Sequence, residues 1–392
     1  MMDKKVLYFG LLLLSSCSIK NKYGIIPYTR PVDTTSRTDS TADIRLDTSR
    51  LQLINNTGQW DASVQAYEDL QYDKYLTRYS GWNGGDGNYS HVINDTTTLW
   101  TFQDSFIGTI DSSRNRDPAL NKFVRNAGVL QYNNSVQSFV QLNQGTLNNS
   151  KTWIMYDGLE SNDTKELYWP GDGHVVNGQF QLLLGHLVYN ASGGLDHPGT
   201  DVAVFSIPDM TLQQVIKNKA NGDISYDAGI FDDDDGYTYI YGNTQNFLAY
   251  DMHVARVPNH DLTAPWQFLT ANGWADNPDN YYVLEDAQTL PNIIKKNNKY
   301  YLVSQANLYG HQIYLWQSNS PIGPFTNKKA IYYIPDFTWG VTYNTTLHQS
   351  LSTQGELVIA YNTNPNDFAA NFNAAGSADF YRPHVVRLFG WQ

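Results

Sequence analysis

The sequence is poor in cysteine. Cys17 is the only cysteine among the 392 residues. A disulfide within the chain is therefore impossible, and a cysteine-ligated metal site is excluded. The histidines show no spacing typical of zinc motifs, and the chain has neither a G-x-S-x-G segment nor a P-loop. We therefore assign no metal site and no cofactor.

The chain is also poor in charge, and above all in positive charge. Charged residues make up only 16%, and 26 lysines and arginines stand against 38 acids, which gives a formal net charge of -12. No basic stripe runs through the sequence, so nucleic acid and anionic membrane surfaces are poor candidates as partners. Long helical patterns are lacking as well, which favours an all-β protein.

The apolar run near the start of the chain is too short to span a bilayer. It covers residues 6–14 and follows two lysines. It ends in Leu14-Ser15-Ser16-Cys17, which resembles the lipobox of bacterial lipoproteins, where small residues admit the peptidase and the thiol is acylated. The sequence therefore predicts a signal peptide over residues 1–16 and lipidation at Cys17. The alternative is a plain signal peptide with an accidental cysteine.

Residues 17–50 are predicted to be a lipidated, disordered tether. From Pro31 onward the segment is rich in Thr, Ser and Asp and has almost no large apolar residue, so it cannot bury enough surface to fold. Ser18 is not the aspartate that usually retains lipoproteins in the inner membrane. The resemblance therefore implies an outer-membrane or cell-surface protein that is anchored at Cys17. Residues 51–392 are expected to form a single domain.

Aromatic residues are plentiful, at 14% of the chain with 28 Tyr and 10 Trp. Such a profile is typical of exported proteins that handle carbohydrate, because aromatic faces stack on the C–H faces of sugars, and amides and carboxylates bind hydroxyls. The alternative is that Tyr and Trp serve only as strand formers. We expect a carbohydrate partner and a monomeric protein.

Five apolar, aromatic-rich segments recur along the predicted domain. Their centres lie near Phe102, Leu183, Tyr239, Leu302 and Ile359, at spacings of 81, 56, 63 and 57 residues, and each follows a hairpin-type turn. Four-stranded units that repeat about every 60 residues are typical of β-propellers. The fold is therefore predicted to be all-β, a five-bladed β-propeller. A two-sheet sandwich with a second domain explains the even spacing less well.

The first strand of each predicted blade should line the central channel, and most of these strands carry carboxylates. The polar residues on them are, blade by blade, Asp86; Asp172 and His174; Asp227; Glu285 and Asp286; and His348. Carboxylates that converge on one axis repel one another unless protons, cations or substrate are shared among them. The set therefore favours a functional site, although any single aspartate could simply form a turn. His348 is the preferred active-site histidine, with a core or turn role as the alternative.

Asp104 interrupts the first apolar segment, within Phe102-Gln103-Asp104-Ser105-Phe106. A charged residue inside a buried strand is costly without partners. We interpret it as a functional carboxylate. The alternative is a structural aspartate that caps a loop.

The segment at 82–87, followed by the one at 99–106, resembles the start of a five-bladed propeller family long known only as domains of unknown function, in which one relative degrades D-arabinan. Later segments are also similar, namely 320–325, 360–364 and 381–383, and the resemblance covers roughly residues 81–388. It implies that Asp86 and Asp104 form the catalytic pair, with Trp82 and Arg382 as substrate-binding or supporting residues. Gln103 stands where a glycine is usual, which indicates a sister family.

The sequence as a whole predicts a glycoside hydrolase-like surface lipoprotein that cleaves a polysaccharide or oligosaccharide, with an arabinan-type furanoside as one candidate. Two carboxyl groups are needed, one to donate a proton and one to act as nucleophile or activate water. A glycan-binding surface lipoprotein without turnover is the alternative, and a propeller scaffold for protein partners is a third interpretation.

Overall fold

The computed structural model describes residues 49–392 apart from residues 247, 248, 286, 288 and 308. Cys17, the predicted signal peptide, nearly all of the predicted tether and Asp286 therefore lie outside the described residues. Within the described ranges the chain is almost entirely β, with one short α-helix, α1 (Leu70–Tyr75), and a few 3-10 turns. No helix in these ranges is long and apolar enough to cross a membrane.

The strands form antiparallel sheets that follow one another along the chain. Blade 1 contains β3 (Ser80–Gly85), β4 (Tyr89–Asn94), β5 (Thr97–Phe102), β6 (Ser105–Ile110), β7 (Arg116–Val124), β8 (Ala127–Tyr132) and β9 (Val140–Gln141), and is followed by a small hairpin of β10 (Gly145–Thr146) and β11 (Asn149–Ser150). Blade 2 contains β12 (Glu166–Val176), β13 (Gln179–Tyr189), β14 (Leu195–Ser206) and β15 (Leu212–Asn221). Blade 3 contains β16 (Ser225–Asp232), β17 (Tyr237–Asn246), β18 (Ala249–Pro258), β19 (Gln267–Thr270) and β20 (Gly273–Ala275). Blade 4 contains β21 (Thr289–Lys296), β22 (Lys299–Gln305), β23 (Gln312–Ser318) and β24 (Thr326–Tyr333). Blade 5 contains β25 (Gly340–Leu347), β26 (Leu357–Pro365) and β27 (Arg382–Phe389), joined by β1 (Leu51–Ile54) and β2 (Gln65–Asp69).

Five apolar clusters hold the blades together, one between each pair of neighbours around the ring. Strand β13 shows how the sequence produces them, because side chains alternate between the two faces of a strand. Leu182 and Leu184 pack against blade 1, whereas Leu183 packs against blade 3. The uninterrupted apolar run in this strand thus reflects burial on both faces. Five clusters for five neighbouring pairs confirm the predicted five-bladed propeller.

The ring is closed by strands from the two ends of the described chain. β2 pairs with β27, so the start of the domain completes the sheet of blade 5. Arg387 on β27 lies buried between two acids: its Nε is 2.6 Å from Asp69 Oδ2, and its guanidinium also pairs with Glu356. Asp69 in turn caps α1 by accepting the backbone N–H groups of Gln71 and Tyr72. The closure therefore combines backbone pairing with a buried ionic network.

Blade 1 differs from the others because its long strands are broken. β3 leads into β4 through residues 86–88, β5 into β6 through 103–104, and β7 into β8 through 125–126. As a result β3, β6 and β7 form a separate three-stranded sheet beside the four-stranded sheet of β4, β5, β8 and β9. The three breaks adjoin one another, and residues 86 and 104 both lie in them.

The first strands of the five blades line the channel in ring order. β4 contacts β12, β12 contacts β16, β16 contacts β21, and β21 contacts β25. We call the end at which these strands begin the channel mouth. Because the strands of each blade are antiparallel, the connections from second to third strand and from one blade to the next also lie at the channel mouth. The breaks of blade 1 are therefore at this end of the molecule.

Candidate active site

Asp86 and Asp104 face each other across the break in blade 1. The backbone N–H of Asp86 donates to the carbonyl of Asp104 at 3.2 Å, and the N–H of Gln103 donates to the carbonyl of Asp86 at 2.8 Å. Gly87 has φ +53°, and a Cβ there would lie 2.2 Å from the Gln103 side chain. Only glycine therefore fits beside Gln103, which keeps the two strands close enough to bring the aspartates together.

Asp104 is almost fully buried and is held by two donors. Nη1 of Arg125 lies 3.2 Å from its Oδ2, and Nε1 of Trp169 donates to its Oδ1 at 3.3 Å. Burial raises the pKa of the Asp104 carboxyl, against the opposing effects of Arg125 and Trp169. Arg125 is itself fixed by the hydroxyl of Tyr189 and the carbonyl of Asp163. The pair is thus a buried carboxylate with a rigidly placed counter-charge.

Among the described residues no cation pairs with Asp86, which lies partly exposed at the channel mouth. Its Oδ2 accepts a hydrogen bond from the Tyr343 hydroxyl at 2.8 Å, and its Oδ1 is buried without a partner among the described residues. Burial of the carboxyl, followed by the negative charge of Asp104, raises the pKa of Asp86 to about 7. Arg125 beside Asp104 favours the ionised form of that carboxyl, whereas burial of Asp86 favours its protonated form, so the two carboxyls have unlike environments.

Asp227 also lies near the mouth, at the start of β16. Its Oδ1 accepts from Ser225 Oγ at 2.7 Å, and its Oδ2 is 3.8 Å from His197 Nε2. A Cβ at Gly185 would lie 2.1 Å from its Oδ2, so blade 2 leaves room for this side chain only because glycine stands there. The structure thus brings Asp227 to the same end of the channel as the pair.

The predicted carboxylates do not lie at one level of the channel. Asp172 sits past the middle of β12, where its Oδ2 accepts the Ile230 N–H at 3.0 Å and its Oδ1 is 3.4 Å from His91 Nδ1. His174 lies further on and pairs with Asp232 at 2.9 Å. Both side chains therefore join blade 2 to its neighbours below the mouth. The expected alignment with Asp86 fails because β12 runs through the channel for eleven residues.

His348 has the core position that was the alternative to an active-site role. It follows β25, is fully buried between blades 5 and 1, and lies beside the break at residues 86–88. Its Nε2 is 2.8 Å from Asn88 Oδ1, its Nδ1 is 2.8 Å from Ser90 Oγ, and its ring stacks on Trp100. Burial, followed by the effect of His91, lowers the pKa of His348 to about 3. The residue joins blade 5 to blade 1 as a neutral core histidine.

Trp82 and Arg382 have supporting positions only. Trp82 is fully buried, stacks on Phe102 and donates to Ser105 Oγ at 3.1 Å, so its ring offers no surface to a sugar. Arg382 pairs with Asp73 of α1 at 3.1 Å and so ties β27 to the N-terminal segment. Glu285 lies exposed in the loop before β21. No described group of three or more His, Cys, Asp or Glu side chains is arranged to hold a metal ion.

Four residues of the site did not stand out in the sequence as functional: Arg125, Trp169, Tyr343 and Tyr381. Tyr381 donates from its hydroxyl to the carbonyl of Asp104 at 3.1 Å, and it comes from the last blade. For Arg125 the sequence gives one signal: it is a cation at the end of a strand, and a buried aspartate such as Asp104 needs a cation. The others depend on contacts between blades that are distant in sequence.

The raised pKa of Asp86 predicts a pH-dependent effect on stability. The folded state holds the proton more tightly than an unfolded aspartate does, so this contribution is fully present below about pH 4 and is lost as the pH rises through about 7. Asp86→Asn removes the penalty of ionising the buried group. The melting temperature of this variant relative to the wild type should therefore rise by a few degrees between about pH 4 and pH 8.

Asp95→Asn is the matched control for this measurement, because it removes an aspartate charge from the exposed turn between β4 and β5. Thermal melts of the wild type, Asp86→Asn and Asp95→Asn across this pH range measure the effect. A difference between Asp86→Asn and the wild type that stays constant with pH would mean that the Asp86 carboxyl is not perturbed.

The chain is similar to several solved structures. A crystal structure from Bacteroides ovatus ATCC 8483, provisionally described as a hydrolase, is 29% identical and superposes with a TM-score of 0.81, covering 88% of this chain and 96% of that one. A GH43_1 enzyme of Xanthomonas citri is 14% identical, with a TM-score of 0.44 and coverage of 81% and 92%. An exo-β-1,3-galactanase of Phanerochaete chrysosporium, solved with galactose, is 15% identical, with a TM-score of 0.45 and coverage of 78% and 60%.

No curated protein matches the sequence. A family model does match, over residues 69–391, which include all five blades and both candidate carboxylates. This range starts at the acid that pairs with Arg387 and ends just after β27. The chain therefore belongs to the family described as Domain of unknown function (DUF5005).

Proposed function

We propose that this protein is a glycoside hydrolase whose active site lies at the channel mouth, with Asp86 as general acid and Asp104 as its ionised partner. The observation that carries the proposal is the unlike environment of two adjoining carboxyls. Asp86 has a pKa of about 7 and pairs with no cation in the described part of the chain, whereas Asp104 is paired with Arg125. Glycoside hydrolysis needs this division into one protonated and one ionised group.

In this mechanism Asp86 gives its proton to the glycosidic oxygen as the bond to the anomeric carbon breaks. Asp104 either attacks that carbon or accepts the proton of an attacking water. Arg125 and Trp169 hold the Asp104 carboxylate in one orientation, and the Tyr343 hydroxyl orients Asp86. If Asp104 forms a covalent intermediate, Asp86 regains its proton from the water that hydrolyses the intermediate, and the Asp104 carboxylate is released. If Asp104 instead activates water, it passes the proton to solvent, and Asp86 is reprotonated from solvent.

The substrate class that we propose is a polysaccharide or oligosaccharide, with arabinan-type furanosides first among the candidates. The first-blade motif around Asp86 and Asp104, which resembles that of D-arabinan-degrading relatives, supports furanosides. The likeness to the Bacteroides ovatus protein described as a hydrolase supports a hydrolytic reaction.

A glycan-binding protein without turnover is the second candidate. It is favoured by the number of carboxylates that are engaged in contacts within the protein. Asp172 accepts a backbone N–H of blade 3, Asp227 accepts from Ser225, and both oxygens of Asp104 are within 3.3 Å of Arg125. Under this interpretation the mouth would bind sugar but would lack a free base.

A panel of polysaccharides decides between the two candidates. Purified protein is incubated with arabinans, xylans, galactans and glucans, and new reducing ends and soluble products are measured beside binding by affinity electrophoresis. Product from at least one polymer supports the hydrolase. Retarded migration on at least one polymer, with product from none of them, supports the binding protein and contradicts the hydrolase.

We also propose that the chain is a monomeric lipoprotein, anchored at Cys17 in the outer membrane or at the cell surface. The lipobox-like segment that ends at Cys17 supports this location. Cys17→Ser removes the acylated thiol, so the variant should leave the membrane fraction or remain unprocessed. Fractionation with immunodetection is the measurement, and Ser18→Ala is the matched control. Unchanged membrane association of the Cys17→Ser variant would contradict the anchor.

A further inference from the structure

A cavity of about 560 Å³ opens beside β9 of blade 1, and neither Asp86 nor Asp104 is among the residues that line it. It lies between the start of β3, the end of β9 and the β10–β11 hairpin. Its lining is Arg78, Ser80, Gly81, Phe139, Gln141, Gly145, Thr146 and Leu147. No carboxylate is among these residues, although the protein as a whole carries a formal net charge of -12.

Arg78 is the charged group of this cavity. Its guanidinium lies 4.3 Å from the centroid of the Phe139 ring, and among the described residues no acid pairs with it. Partial burial lowers the pKa of Arg78, as expected for a cation that has lost water without gaining an anion. A guanidinium whose face rests on an aromatic ring keeps its N–H edge free for a planar acceptor such as a carboxylate.

Gln141 supplies a second donor at the inner end of the cavity. Its Oε1 accepts the Trp82 backbone N–H at 2.7 Å, which fixes the orientation of the amide. Its Nε2 is buried and has no acceptor in the part of the chain that the structure describes. A buried donor without an acceptor is uncommon in native proteins, and a water molecule or a bound group would satisfy it. The hydroxyls of Ser80 and Thr146 line the same cavity.

We infer that this cavity binds a carboxylate-bearing sugar residue, so that the protein has an acidic-saccharide site separate from the channel mouth. The anionic character of the ligand follows from the unpaired cation and the unpartnered amide donor. That the ligand is a saccharide rests on the proposed function. The cavity has the size of a small-ligand site, and Phe139 and Leu147 contribute apolar side chains to its lining.

The experiment measures binding of tri-galacturonate and of its methyl ester, which has the same rings without the charge. Titration calorimetry is done on the full-length protein carrying Asp86→Asn, so that turnover at the mouth does not interfere. We expect the acid to bind at least about tenfold more tightly than the ester, with an affinity that falls as salt is added.

Two variants locate the site. Arg78→Met removes the cation, and Gln141→Glu keeps the acceptor for Trp82 while it replaces the free donor by a negative oxygen. Each should lower the affinity for tri-galacturonate by at least about tenfold. Lys74→Met is the matched control, because Lys74 is an exposed cation on the neighbouring helix α1 and should leave the affinity unchanged.

Three outcomes would overturn the inference: equal binding of acid and ester, unchanged affinity in both variants, or no binding of the acid to protein that is folded by circular dichroism. None of them bears on the hydrolase, since hydrolysis of a neutral polymer at the mouth does not need Arg78. Conversely, a protein that binds tri-galacturonate at this cavity without cleaving any polymer would retain the site and lose the proposed function.

Discussion

Asp86→Asn is expected to lower kcat on the polysaccharide that the wild-type protein cleaves by about 10²- to 10⁴-fold, the usual contribution of a general acid. The amide has nearly the same volume and can still accept the Tyr343 hydrogen bond, but it carries no proton to give to the leaving oxygen. The change should fall on kcat rather than on KM, because the proton transfer stabilises the transition state. Initial rates of reducing-end release measure it.

Asp172→Asn is the matched control for this substitution. Asp172 is also a channel carboxylate, but it lies below the mouth and its Oδ2 accepts a backbone N–H, a bond that an amide oxygen can keep. The kcat of the Asp172→Asn variant should stay within about tenfold of the wild-type value. A larger loss in Asp172→Asn than in Asp86→Asn would place the chemistry deeper in the channel and would show the assignment of the acid to be wrong.

Arg125→Met is expected to destabilise the protein by about 3–5 kcal/mol, because it leaves the buried Asp104 carboxylate without its counter-charge. The pKa of Asp104 should rise further, so the residual activity should need a higher pH than that of the wild type. Chemical denaturation and a pH–rate profile measure the two effects. Arg125→Lys retains the charge without the guanidinium fork, so its stability should lie between that of the wild type and that of Arg125→Met.

The double variant Asp104→Asn/Arg125→Met tests whether these effects come from the pair. With both charges removed, part of the lost stability should return, and the coupling in the double-mutant cycle should be about 1–3 kcal/mol. Activity should not return, because Asp104 is gone. Additive losses would show that Arg125 stabilises the fold through Tyr189 and Asp163 rather than through Asp104.

The blade repeat could be predicted from the sequence because each blade buries both faces of its second strand. The apolar run of β13 is continuous for that reason, and the same holds for β26, where all nine residues are buried. The break in blade 1 could not be predicted, since the apolar run from Thr98 to Phe106 reads as one strand. Its interruption at residues 103–104 depends on how the neighbouring strands at 86–88 and 125–126 also bend.

The candidate site could be predicted only in part, because contacts between strands and blades decide which side chains meet. Asp86 and Asp104 both belong to the first-blade motif that carries the family resemblance, and the resemblance is what paired them. The depth of a residue in the channel depends on where its strand starts, which the turns alone do not specify. Asp172 and His174 were therefore expected level with Asp86, although they lie deeper along β12. Arg125, Trp169 and Tyr381 reach Asp104 from other strands and blades, which a single sequence does not reveal.

The proposed mechanism requires that, at neutral pH, Asp86 is largely protonated while its neighbour Asp104 is ionised. A titration by ¹³C NMR of protein labelled at the aspartate carboxyl carbons tests this without any substrate, with Asp86→Asn used to assign the signal. The account predicts that the Asp86 signal titrates with a pKa near 7, and that the value falls when the negative charge is removed in Asp104→Asn. An Asp86 carboxyl that titrates in the ordinary range near about 4, or whose pKa is the same in Asp104→Asn, would contradict the account.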